Sequence, residues 1–198
     1  MRKAACVLII IGLAIFLYPY AERMYSNYQQ QRLLAAWEES LPPAGDGGET
    51  AVPPAAEPAP PADPAGTVAV LEVDKINLRL PVLRGTSTAN LRVAAGLLED
   101  TAEIGAPGNT VLTAHRSHTR GRLFNRLDEL AAGDVVTVTT REKTYRYTVT
   151  GSLIVEPDDM SVIVGGEEEY RLTLITCHPV YDPTHRLVVQ AEMVPDGE

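Results

Sequence analysis

Apolar and polar residues change their spacing three times along this chain, and each change marks a different kind of segment. Residues 4–21, AACVLIIIGLAIFLYPYA, form an unbroken apolar run behind Arg2 and Lys3. A bilayer span needs about 17 to 25 apolar residues, so this run is long enough. Tyr18 and Tyr20 stand at its far end, where aromatic residues suit the headgroup level. The basic start predicts a type II, single-pass anchor, with residues 1–21 as cytoplasmic tip and transmembrane helix and everything later outside. A cleaved signal peptide shares the basic start and apolar centre, but it ends in small residues, and Pro19, Tyr20 and Glu22 occupy that place.

Over 22–41 the apolar residues Leu33, Leu34, Trp37 and Leu41 recur at helical spacing without Gly or Pro, which predicts a juxtamembrane helix. Packing on a domain, lying along a membrane and standing as a solvated stalk all fit that pattern. From 42 to 66 the periodicity vanishes into Pro and Ala, and the segment reads as an extended, partly polyproline spacer. From Thr67 to the end at 198 the pattern changes again, to short β-prone runs at 67–73, 78–82, 109–115, 134–140, 170–177 and 185–194. The stretch 143–156 reads as two more strands on either side of Gly151. Short helices fit near 87, over 122–132 before Gly133, and near 158. About eight strands with few helices predict a mainly β, closed or nearly closed barrel.

Charge and cysteine usage narrow the function. The 198 residues carry a formal net charge of −9, which excludes nucleic acid as a main partner because phosphate binding needs clustered Lys and Arg. The two cysteines, Cys6 in the apolar run and Cys177 near the far end, are not expected to pair. If the domain lies outside the cytoplasm, Cys177 is a lone thiol in a compartment that favours disulfides, which points to reactivity rather than packing. The alternative is a buried, inert cysteine.

Cys177 closes the apolar run Thr173–Thr176, His115 ends the run Val111–Ala114, and Arg186 opens the last strand. Three chemically distinct groups therefore fall at strand ends, held by a rigid scaffold yet open to a cleft. Thiol, imidazole and guanidinium together suit acyl transfer: nucleophile, proton donor to the leaving amine, and oxyanion binder. Read singly, His115 also fits a structural histidine and Arg186 a surface ion pair.

The sequence TLITC, followed after a short loop by HRLVV and preceded upstream by a strand ending in TAH, resembles the sortase family of cysteine transpeptidases over residues 67–194. The resemblance implies an eight-stranded sortase β-barrel, with Cys177 as nucleophile, His115 as general acid/base and Arg186 as the group that orients substrate and stabilises the oxyanion. It implies cleavage of an LPxTG-like sorting signal between Thr and Gly through a thioacyl-enzyme, on surface proteins carrying that signal. An amine then resolves the intermediate, supplied by a peptidoglycan cross-bridge, a lipid-linked precursor or a pilin lysine. The His178 N–H is a candidate for the oxyanion hole, and Thr113, Ala114 and Thr176 are candidates for the substrate groove.

Residues 115–127 and 184–187 look similar to class D, and also to the pilin-polymerising class C. Two features favour class D: no hydrophobic tail follows Glu192, and Asp63-Pro64 is followed by Ala65 rather than an aromatic. A papain-like peptidase, an L,D-transpeptidase and a non-catalytic β-barrel adhesin or assembly protein are the competing readings. No metal or other cofactor is expected. His115, His118, Cys177 and His178 match no common zinc spacing. Glu167, Glu168 and Glu169 with Asp158 and Asp159 read as a solvated acidic loop rather than a calcium site.

Overall fold

The β-prone runs fold into eight strands, whose side chains alternate between a filled interior and the outside. A computed structural model describes residues 2–41, 66–166 and 168–194, with the side chains of residues 2–8 outside that set. The spacer, apart from Gly66, thus lies outside the described residues. The strands are β1 (Thr67–Val73), β2 (Leu78–Arg84), β3 (Ala95–Leu97), β4 (Gly108–Thr113), β5 (Val135–Thr139), β6 (Thr144–Val155), β7 (Tyr170–His178) and β8 (His185–Met193). They close into a barrel in the order β1-β2-β3-β4-β7-β8-β6-β5, which satisfies backbone groups that an open sheet leaves bare at its edges. Two neighbours are parallel, β2 with β3 and β4 with β7, and the other pairs are antiparallel.

The predicted barrel is confirmed, but two of its strands differ from the sequence reading. The segment around Gly151 is one long strand, because β6 absorbs the glycine as an irregularity between Val149 and Gly151 and keeps pairing with β8. The strand that restores the count is β3, only three residues long and too short to show alternation. Gly96 at its centre lies so close to the neighbouring chain that an added Cβ would sit 2.6 Å from the Gly85 carbonyl oxygen. The helix expected over 122–132 is a kinked 3₁₀ segment, Phe124–Glu129, and the one near 158 is a single 3₁₀ turn, Met160–Ile163. Near 87 the short helix α2 (Thr88–Leu91) is capped by Ser87, whose side chain accepts from the Asn90 N–H.

The core is built from inward positions of every strand, among them Leu71, Leu80, Leu112, Val138, Leu172 and Leu174. On β7 the inward residues are Leu172 and Leu174, on β4 Leu112 followed by Ala114, and on β8 Leu187, Val189 and Ala191. By the two-residue period, His115, Cys177 and Arg186 belong to the opposite, outer side of the barrel wall.

A continuous helix, α1 (Arg2–Ser40), precedes the barrel and runs through Pro19 without a break. Its last turns pack on the domain, which selects one of the three arrangements left open by the sequence. Trp37 is only 1% exposed, under the Arg141 guanidinium at 5.6 Å from the ring centroid. Glu38 pairs with Arg79 at 2.7 Å, and the Ser26 hydroxyl donates to the Arg92 carbonyl at 2.8 Å. Farther toward its start, Ile9, Ile10, Leu13, Ile15, Phe16 and Leu17 are all exposed. Among the described residues no helix is long and apolar enough to cross a membrane. The expected span begins at residue 4, within the part whose side chains are not described.

Candidate active site

Three strand ends meet at one point of the barrel rim. Cys177 on β7 stands directly opposite Arg186 on β8 in the antiparallel register. On its other side β7 pairs in parallel with β4 up to Thr113 and Ile175. The Ala114 N–H then donates to the Ile175 carbonyl at 3.2 Å, and the Thr176 hydroxyl donates to the Ala114 carbonyl at 2.8 Å. These bonds carry the pairing beyond the last formal partners, so His115 and Cys177 occupy equivalent positions two residues farther on. The site residues predicted from strand ends are thus neighbours: His115, then Cys177, then Arg186 across three adjacent strands.

His115 and Arg186 are also held by local bonds. The His115 carbonyl accepts from the Phe124 N–H at 3.2 Å, which anchors the end of β4 to a residue buried in the core. Arg186 donates through Nη1 to the His185 carbonyl at 3.1 Å, and His185 Nε2 lies 3.3 Å from Glu156. Cys177 is a free thiol of intermediate exposure. The His115 imidazole is held below the usual histidine range, first by desolvation and then by the positive charge of Arg92, although the residue remains exposed overall.

Two cavities flank this row. On the Arg186 side, one of about 340 Å³ is lined by Val111, Thr113, Ile175, Val155, Met160 and Ile163, among others, and by Arg186 itself. Its outer-face strand positions and mostly apolar walls suit an extended peptide with small apolar side chains. On the His115 side, a cavity of about 580 Å³ lies between α1 and the barrel. A further cavity, about 680 Å³, is lined by residues such as Arg84, Glu103 and Tyr145, and not by Cys177, His115 or Arg186.

Of the three groove candidates only Thr113 lines the flanking cavity. Ala114 and Thr176 face inward, 3% and 2% exposed, and their mutual hydrogen bond ties β4 to β7 from inside. They are corrected from groove residues to packing residues, since the two-residue period puts them on the opposite side of their strands from Thr113. His178, singled out for its backbone N–H, has a side-chain role: its Nδ1 accepts from Arg116 Nη1 at 2.8 Å.

Arg116 is a site residue that the sequence reading passed over. Its side chain is 3% exposed and pairs with Asp128 at 2.9 Å, so one guanidinium joins the loop after His115 to the residue after Cys177. A signal was present: residues 112, 114 and 116 share the inward phase of β4, and a charge at an inward position demands partners. His118 makes a second bridge between the same loops. Its Nε2 donates to the Val180 carbonyl at 3.0 Å, and its ring stacks on Tyr181 at 4.8 Å.

Among the described residues no group of three or more His, Cys, Asp or Glu converges as metal ligands. Glu169 pairs with Arg171 at 2.9 Å, and Asp159 caps the Ser161 N–H at 3.0 Å. Glu167 lies outside the described residues.

A family model of the sortase domain matches residues 71–194. The chain belongs to the sortase family. Its relatives include Sortase A of Bacillus anthracis, 34% identical over 125 residues, a match covering 63% of this chain and 58% of that protein. Sortase D of Bacillus subtilis is 33% identical over 110 residues, covering 56% of this chain and 54% of that protein. This sortase-family chain therefore matches little more than half the length of those relatives. Among solved structures, sortase C1 of Streptococcus agalactiae superposes with a TM-score of 0.63 at 35% identity, covering 67% of this chain and 69% of the other. A Clostridium perfringens sortase D5 transpeptidase gives a TM-score of 0.60 at 25% identity, with coverages of 66% and 80%.

Proposed function

We propose that this sortase-family chain is a cysteine transpeptidase that cuts an LPxTG-like sorting signal between Thr and Gly and passes the acyl group to an amine. The observation that carries the reading is the row His115, Cys177, Arg186 on three adjacent strands, with an apolar cavity running up to Arg186.

In that cavity the Leu and Pro of the signal bury apolar surface and bring the Thr carbonyl to the rim. The Cys177 thiolate attacks the carbonyl carbon, and Arg186, opposite the thiolate, stabilises the charge that develops on oxygen. Protonated His115 gives its proton to the Gly nitrogen as the C–N bond breaks, leaving a thioester. An acceptor amine then attacks that carbonyl, His115 takes the proton, and the C–S bond breaks to restore the thiolate. The proposal includes class D character, on residues 115–127 and 184–187, and a type II membrane anchor over residues 4–21 with the barrel outside. The exposed apolar side chains from Ile9 to Leu17 support the anchor.

The full chain in detergent micelles, incubated with fluorogenic LPxTG-type peptides and an amine, tests this. Cleavage that is lost in Cys177→Ala is expected; a folded chain that cleaves no member of the panel overturns it.

A further inference from the structure

The cavity between α1 and the barrel has a composition that the cleavage step does not explain. Although the chain as a whole is acidic, with a net charge of −9, Arg23, Arg92 and Arg122 all line this cavity, with Glu22 as its one carboxylate. Arg79, Arg84, Arg116, Arg120, Arg126 and Arg171 are each paired with an Asp or Glu. Among the described residues none of the three cavity arginines has a carboxylate at ion-pair distance. Arg122 is the most confined of them. It donates to the Ser26 hydroxyl and to the Arg92 carbonyl, while its buried Nε has no hydrogen-bond partner among the described residues. Glu22 interacts with Arg122 only at longer range, without an ion pair.

Like charges brought together without counter-charges repel, and that arrangement is stabilised when an anion binds between them. A guanidinium is suited to that task, since its fork of donors matches carboxylate and phosphate oxygens. The location fixes what the anion belongs to. The cavity reaches His115, the residue that takes a proton from the incoming amine, whereas the apolar cavity for the sorting signal opens on the Arg186 side. On that mechanism the side beside His115 first holds the departing Gly fragment and then receives the second substrate.

We infer that the α1–barrel cleft is the acceptor site, and that it takes an amine carrying an anionic group, a carboxylate or a phosphate, held by Arg23, Arg92 and Arg122. This rests on the transpeptidase reading above. With the anion seated, the amine attacks the thioester carbonyl: a C–N bond forms, the C–S bond breaks, His115 takes the amine proton and Cys177 leaves as the thiolate. Because α1 supplies Arg23 and Ser26, the helix is a wall of the active site as well as a tether. The two anion sources differ in origin. A carboxylate comes with an amino-acid amine of a wall peptide, and a phosphate with a lipid-linked carrier. The second fits the position of Pro19 in the cleft wall, at the end of the apolar run of α1.

The test compares three amines on the full-length chain in detergent micelles: β-alanine, 2-aminoethyl phosphate and uncharged ethanolamine. The readout is the KM of each acceptor after the acyl-enzyme has formed with a sorting-signal peptide. The wild type is expected to show a KM for at least one anionic amine about tenfold below that for ethanolamine, and the amine that is preferred identifies the source. In the Arg23→Gln/Arg92→Gln double variant, which leaves in place the Arg122 bonds to the Ser26 hydroxyl and to the backbone carbonyl of residue 92, the ratio should fall toward one. In Arg120→Gln, which removes one charge outside the cleft, it should stay. An acyl adduct on Cys177 with equal KM values for all three amines overturns the acceptor site alone. A chain that forms no adduct overturns the transpeptidase reading and this inference with it.

Discussion

Cys177 and Arg186 are direct cross-strand partners on β7 and β8, so the thiol and the guanidinium are placed by backbone pairing rather than by a flexible loop. Opposed residues of an antiparallel pair have Cβ atoms about 4.5 to 5.5 Å apart, within reach of a group bound at the sulfur. A one-residue slip of either strand would turn its member of the pair to the core side and separate the two. On the proposed mechanism, the register of this hairpin is therefore part of the site.

Arg186→Ala should lower kcat/KM for peptide cleavage by about 10²- to 10³-fold, the range for losing one oxyanion donor. Its thermal midpoint should stay near wild type, because among the described residues the Arg186 guanidinium makes one hydrogen bond, to the adjacent His185 carbonyl. Steady-state kinetics and a melting curve check the two halves separately. A large loss of stability would move Arg186 from chemistry to packing.

The pH dependence follows from the cleft. Desolvation and then Arg92 favour the neutral form of His115. Removing the positive charge in Arg92→Gln should raise its pKa, and the limb of the pH–rate profile governed by His115 should move to higher pH. The sign for stability is consistent: a folded-state imidazole pKa below its unfolded value favours the fold above that unfolded value, and the benefit is lost as pH falls through the folded pKa. NMR titration of the His115 ring in both proteins measures the shift. An unchanged or lowered pKa contradicts the account.

The buried Arg116 should act on the site through His178. Arg116→Ala leaves the Nδ1 of His178 without its donor and is expected to cost about 1 to 3 kcal/mol in denaturant unfolding. Asp128→Asn should also destabilise, by about 1 to 3 kcal/mol, since it leaves the Arg116 guanidinium, 3% exposed, without its counter-charge. Because Arg116 touches neither thiol nor substrate, kcat should fall in Arg116→Ala and recover in part in Arg116→Lys, which restores a donor.

The docking of α1 rests on Trp37. Trp37→Ala should release the helix from the barrel, losing a share of the about 3 to 5 kcal/mol typical of a buried Trp. Hydrogen exchange should then rise over residues 26–40 while the strands keep their protection. Acceleration throughout the barrel would mean that helix and barrel unfold as one unit.

How much of this was legible in the sequence depends on the range of the interactions involved. The barrel class showed in the spacing of short Val, Leu and Thr runs, and the site in three reactive residues at strand ends, because both are local patterns. The three-residue β3 was hidden, since it is held by a parallel neighbour and by a glycine contact with Gly85, neither of which leaves periodicity. Thr113 and Thr176 were indistinguishable as groove candidates until the barrel wall gave each an inside and an outside. The arginine cleft was hidden for another reason: Arg23, Arg92 and Arg122 come from three segments that only the packing of α1 brings together.

The central claim is that Cys177 forms a thioester with the carbonyl of a sorting-signal threonine. Intact mass spectrometry of the full-length chain, mixed with an LPxTG-type peptide without an acceptor amine and followed by peptide mapping, reads this directly. The account predicts an acyl adduct on Cys177, ending at the Thr of the peptide, that disappears when an amine is added and is absent from Cys177→Ala. A folded chain with no adduct, or with one that persists in Cys177→Ala, would contradict it.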